Sequence, residues 1–166
     1  MKTFILLATA LFSIACAKTV DPADFGDLFT LKDAEMILGE PAKQTEDAGT
    51  TGEVARHHAT FMANDTDAVS HNLGAIYYLA ERFPDISAAQ VKYVNIYEAN
   101  AGHDGIKVLE GLGDEAYFHS DNTNFLFIMA RKGRDVLTMK VNKLTSHTSR
   151  EAFDRVAQSI VGRMGK

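Results

Sequence analysis

One cysteine in 166 residues, no tryptophan and three prolines set the first limits on this chain. A lone thiol, Cys16, cannot form an internal disulfide, so no disulfide framework holds the domain together. Without tryptophan, the chain lacks the flat platform that binding surfaces use most. Beyond residue 15 no apolar stretch approaches the roughly 20 residues that a membrane-spanning helix requires. Nor is there an excess of positive charge. The 17 Lys and Arg stand against 22 Asp and Glu, a net of −5, which argues against a nucleic-acid partner. No G-x-S-x-G elbow occurs, and the six histidines fall into no H-x-x-H, H-x-H or H-E-x-x-H spacing. His57 and His58 are adjacent on an expected strand, so they point to opposite faces and cannot chelate one ion together. No cofactor or metal is expected, and the chain reads as non-catalytic, although an acid/base pair assembled from distant residues leaves no local trace.

What is present at the start is a leader. Met1 and Lys2 supply one positive charge, Phe4 to Ala15 carry none, and Cys16-Ala17-Lys18 follow, which is the layout of an export signal. The stretch Ser13-Ile14-Ala15-Cys16 resembles the lipobox of bacterial lipoproteins, in which the cysteine becomes the lipid-modified first residue. Several acyl chains, each CH₂ worth about 0.8 kcal/mol when buried, would hold a domain on a membrane. Cleavage after Ala15-Cys16-Ala17, an A-x-A pattern, is the alternative and would discard the cysteine. The expected organisation is a signal peptide over 1–15, a lipid-anchored tether over 16–28 and a single domain over 29–166. The expected setting is the bacterial cell envelope, lipid-anchored, or the secreted or periplasmic space if the anchor is lost.

Within the domain, Thr30 followed by Leu31 to Leu38 and Gly39 predicts a short capped helix with Leu31, Ala34, Ile37 and Leu38 inward. Glu40 to Gly52 is polar and glycine-punctuated, which predicts a loop. Val54–Met62 and Leu73–Phe83 predict two antiparallel strands. From Pro84 a helix is predicted to about Gly102, with a Ser87/Gln90 capping box and an Ile86/Val91 staple, a strand over Val91 to Tyr97 being the alternative that its β-branched and aromatic residues leave open. Glu115–His119, Asn124–Ala130 and Val136–Val141 predict three more strands joined by turns, the middle one covered on both faces and the last near an edge or on a half-exposed flank. A final helix, capped by a Thr148/Glu151 box, carries Phe153, Val156, Ala157, Ile160, Val161 and Met164 as one stripe. The fold class is therefore α+β, an antiparallel sheet of about five strands with helices packed on its faces.

Charge is segregated: Arg131 to Lys166 holds nine basic and three acidic residues, while Cys16 to Ala130 holds seven and nineteen. This is either a cationic face for an anionic partner or a basic hairpin and helix lying beside acidic elements of the same fold. Gly111-Leu-Gly113-Asp-Glu-Ala116 has the letters of a dinucleotide turn, but a strand follows it and Asp114 and Glu115 stand where phosphates would lie, so it reads as a glycine turn entering a strand. That stretch with Tyr117, an upstream Ala34-Glu-Met-Ile-Leu-Gly39, the strand pair and the closing helix resembles small, chiefly actinobacterial lipoproteins of unknown function with a PsbP-like α/β/α fold. The resemblance implies a non-catalytic envelope domain with a binding surface around its sheet and loops. The candidate binding residues are Gly111, Gly113 and Asp114 of the glycine turn and Arg131, Lys132 and Arg134 of the basic hairpin. The expected partner is an envelope protein or cell-envelope component. A small-molecule carrier, with aromatics such as Tyr93, Tyr97 and Tyr117 lining an apolar pocket between helix and sheet, is the alternative, and a secreted hydrolase the third reading.

Overall fold

The computed structural model describes residues 23–165; the leader, Cys16 and the first part of the expected tether lie outside the described residues. The described chain runs α1 (Ala23–Gly26), α2 (Leu31–Leu38), β1 (Ala42–Thr50), β2 (Ala55–Ala63), β3 (Ala75–Arg82), α3 (Ile86–Asn100), β4 (Ile106–Val108), β5 (Glu115–His119), β6 (Phe125–Lys132), β7 (Asp135–Asn142) and α4 (Arg150–Arg163). The strands form one antiparallel sheet in the order β1-β2-β3-β7-β6-β5-β4. The α+β class and the helices on the sheet's faces stand as expected, but the described sheet has seven strands rather than about five.

The two additional strands are the two edges, and both lack the apolar alternation that announces a strand. In β1 only Ala42 is buried. Its backbone pairs with β2 through a bulge at Gln44/Glu46, and Glu46 and Asp47 reach across to His58 and His57 at 3.1 and 3.0 Å. Charged side chains and a bulge on an edge discourage pairing with other chains, so the polarity that suggested a loop is what an edge strand needs. At the opposite edge β4 is three residues long and Val108 is 64% exposed. The last strand, β7, lies in the middle of the sheet rather than near an edge, because β3 pairs with it across the whole register from Ala75/Asn142 to Arg82/Asp135.

Alternation along the central strands sends side chains to two cores. Ile76, Tyr78, Leu126, Ile128, Leu137, Met139 and Val141 face α2 and α4, meeting Ile37, Leu38, Phe153, Val156 and Ile160. Tyr117, Met129 and Val136 face the other way, under Ala89 and Tyr93 of α3. Strand β6 is thus covered on both sides, which its continuous apolar run requires. All six residues of the expected α4 stripe are buried. Phe25, in the stretch expected as tether, is also buried, with Tyr78 Oη donating to its carbonyl at 2.9 Å.

Local corrections concern the helix starts. In α2 the Thr30 cap is joined by Asp33 in a reciprocal capping box, while Leu31 is 41% exposed rather than inward. The α3 cap is Asp85, accepting from Ala88 N at 2.8 Å, in place of Ser87, and Ile86 and Val91 are both exposed, so no staple forms. In α4 the cap is Ser149, accepting from Ala152 N, in place of Thr148, whose hydroxyl accepts from Thr145 N instead. Neighbouring hydroxyls compete for the same role, and backbone direction, which spacing does not encode, decides between them.

Candidate functional site

The two loops singled out by sequence are neighbours in space. Gly111 and Gly113 both adopt left-handed backbone, at φ 76° and 68°, and between them Leu112 turns into the core. Asp114 N donates to the Arg131 carbonyl at 2.8 Å, tying the glycine turn to the start of the β6–β7 hairpin. The turn leads into strand β5, with no helix behind it to face a pyrophosphate.

Arg131 is the keystone of this junction. It is 6% exposed, and its Nε donates to Glu115 Oε2 at 2.6 Å while Nη1 donates to Asp114 Oδ2 at 2.9 Å and to the Gly133 carbonyl at 2.8 Å. Asp114 Oδ2 also accepts from Gly133 N at 2.7 Å. Two consecutive carboxylates that would diverge on a regular strand therefore converge on one guanidinium, because Asp114 still belongs to the turn and only Glu115 to β5. Lys132 Nζ donates to the carbonyls of Val161 and Gly162 at 3.0 and 3.3 Å, satisfying the carboxyl-terminal end of α4. The hairpin expected to present cations to a partner thus commits Arg131 and Lys132 to the fold and leaves Arg134 exposed at the turn. The charge segregation resolves in the same sense, with basic β6 answering acidic residues of the β4–β5 segment.

Beside this junction lies a groove of about 560 Å³, walled on one side by Tyr93, Val94 and Tyr97 of α3 and on the other by Val108 to Ala116. The Tyr93 and Tyr97 rings are parallel, 6.2 Å apart, and both meet the buried Tyr117 ring edge-on at 5.9 and 5.3 Å. Burial pushes the Tyr117 phenol up to about 12, and its hydroxyl has no hydrogen-bond partner among the described residues. Burial foremost, and then the negative charge of Glu115, also raise the Tyr93 phenol above its ordinary range. On the far side of the glycine turn a second depression of about 440 Å³ is bounded by Glu110 to Asp114, Lys132 and the end of α4. Gly111, Gly113 and Asp114 border both hollows, Lys132 only the second, and Arg131 and Arg134 neither.

Val108, Leu109 and Glu110 escaped sequence reasoning. The available signal was an apolar pair between Lys107 and Glu110, too short to register as a strand. His103 and His119 stack with centroids 5.9 Å apart, and His57 and His58 take opposite faces as expected. Among the described residues no three His, Cys, Asp or Glu side chains are grouped as metal ligands, and no helix is long and apolar enough to cross a membrane.

At the opposite end of the sheet, Asp67 is buried and organises two loops. It accepts from Ser70 N at 2.8 Å, from Ser146 N at 3.0 Å and from Ser146 Oγ at 2.9 Å. Hydrogen bonds from Ser70, then Ser146, hold its carboxyl well below the usual range, and those from Asn124 and Thr123 do the same for Asp121. A depressed folded-state value means stability that is complete above the unfolded carboxylate value near 4 and is lost as pH falls below it. The melting temperature of the wild type is expected to fall between about pH 5 and pH 2 more steeply than that of Asp67→Asn. Parallel acid profiles for the two proteins would exclude Asp67 as a contributor.

The fold and the groove together define an α+β sandwich, helices on both faces of a single sheet, with a ligand-sized cleft along one edge. Compared by sequence, the chain matches no protein-family model and no curated protein. Compared by structure, it is similar to the extracellular domain of PknH from Mycobacterium tuberculosis, with a TM-score of 0.60 and 8% identity over 89% of this chain and 97% of that one. At that identity the likeness is one of fold alone.

Proposed function

We propose that this chain is a non-catalytic binding domain of the bacterial envelope, anchored through a lipid on Cys16, and that it takes a small apolar ligand in the groove between α3 and the Val108–Ala116 segment. The observation that carries the reading is the groove itself. It has the size of small-molecule sites, its walls are mainly tyrosine and aliphatic, and a rigid polar junction at Arg131 holds its mouth in shape. Val108 exposes an aliphatic side chain there, which a bound apolar surface would cover. A domain carried outside the membrane is also what the printed name of the PknH neighbour describes. The small-molecule reading gains over a protein partner reached through the basic hairpin because that hairpin's Arg131 and Lys132 are already engaged.

Nile red, neutral and fluorescent only in apolar surroundings, tests the groove. The wild type is expected to bind it saturably, and Val108→Arg, a change at an exposed position that leaves the melting temperature in place, to weaken binding about tenfold, or ~1.4 kcal/mol. Absence of saturable binding, or equal binding by the variant, would remove the groove as the site. For the anchor, mass spectrometry of native material should find acyl chains on Cys16; an unmodified Cys16, or a chain that retains Met1, defeats that part of the reading.

A further inference from the structure

The charge around the groove is strongly one-sided. Of its lining residues three are carboxylates, Glu110, Asp114 and Glu115, and none is Lys, Arg or His. Asp114 and Glu115 share the single guanidinium of Arg131, so the junction keeps net negative charge. Glu110 is exposed, makes no hydrogen bond or ion pair within the described residues, and borders the groove, the depression beyond the glycine turn and a smaller hollow of about 140 Å³ beside Arg150. The parallel Tyr93 and Tyr97 rings line the wall across from these carboxylates and give the groove an aromatic, apolar side. Burial first and then the charge of Glu115 raise the Tyr93 phenol, with Arg131 opposing, which agrees with the negative charge of this wall.

From this combination, and resting on the groove reading above, the geometry points to an organic cation with an apolar body as the ligand: an ammonium group beside Glu110 at the carboxylate rim and a hydrocarbon portion against Val94, Val108 and the tyrosine rings. Neither wall alone specifies this chemistry. An uncharged apolar molecule would leave the unpartnered Glu110 beside a newly formed apolar surface and so lower its hydration, whereas an anion would meet three carboxylates and no compensating cation in the lining. A cationic head removes that conflict, and a hydrated metal ion would gain nothing from the aliphatic wall.

Isothermal titration calorimetry with octyltrimethylammonium, octyl sulfate and 1-octanol, all below aggregating concentrations, separates charge from apolarity. The ammonium is expected to bind roughly tenfold more tightly than the sulfate, with the alcohol between them and the preference shrinking as salt is raised. Glu110→Gln is expected to reduce the ammonium-to-alcohol affinity ratio about fivefold without moving the melting temperature, since Glu110 holds no partner in the fold. Equal affinity for the two ions, tighter binding of the sulfate, or an unchanged ratio in Glu110→Gln overturns the cation assignment. If Nile red binds saturably and only this preference is missing, the groove reading survives; if neither Nile red nor any octyl compound binds, both fall.

Discussion

Asp135→Ala is expected to destabilise the domain by about 3–5 kcal/mol, the cost of breaking a buried ion pair by removing one of its members. Asp135 is completely buried, faces Arg82 on the neighbouring strand β3, and receives both Nε and Nη2 of that guanidinium at 2.5 and 2.8 Å. It also accepts from Gly165 N at 2.9 Å, so the end of the chain beyond α4 is fastened to the same carboxylate. The Arg82 side chain is 11% exposed and lies over the Phe25 ring at 4.9 Å, which brings α1 into the same assembly. Alanine at 135 would take two charge-assisted hydrogen bonds from a guanidinium that is largely shielded from water and would release Gly165 N. Urea denaturation followed by circular dichroism measures the loss. A double replacement, Arg82→Leu with Asp135→Leu, should recover part of it, because it removes both charges of the pair together. A loss below about 1 kcal/mol for Asp135→Ala would mean that the pair contributes no more than a surface bridge does.

Asp135 also shows where sequence reasoning stops. It stands at the end of Arg131-Lys-Gly-Arg-Asp135, a run whose composition says turn, yet the turn is narrower and its flanks are strand, with Arg131 and Asp135 both buried. Composition identifies residues that favour turns but not which charged residue has a partner across the sheet, since the partners Asp114 and Arg82 lie 17 and 53 positions away. The covered face of β6 and the α4 stripe were legible because each expresses burial through local periodicity. Edge strands β1 and β4 were not, because they are held by backbone pairing, with side chains facing water. The groove was half legible: the tyrosines of α3 were visible as an aromatic set and the glycine turn as a motif, but their meeting depends on how α3 lies against β5, which no local pattern records.

The two glycines of that turn should respond very differently to the same substitution, although both have left-handed backbone. At Gly111, φ 76°, an added Cβ would meet no atom within 4 Å, so Gly111→Ala carries only the intrinsic penalty of a side chain in that conformation, about 1–2 kcal/mol. At Gly113, φ 68°, the Cβ would lie 2.4 Å from the Arg131 carbonyl oxygen and 3.3 Å from Val161 Cγ1. Both obstacles are fixed, one being the backbone that accepts from Asp114 N at 2.8 Å and the other a buried side chain of α4. The turn would have to move away from β6, giving up that hydrogen bond and straining the Asp114 and Glu115 contacts with Arg131, so Gly113→Ala is expected to cost about 3 kcal/mol or more. Since the same displacement shifts one wall of the groove, Nile red binding should weaken in Gly113→Ala well below the denaturation midpoint and remain near the wild-type value in Gly111→Ala. Equal stability losses in the two variants would show that the turn is loosely attached to β6. The groove would then have no rigid wall on that side, and its selectivity would have to come from α3 alone.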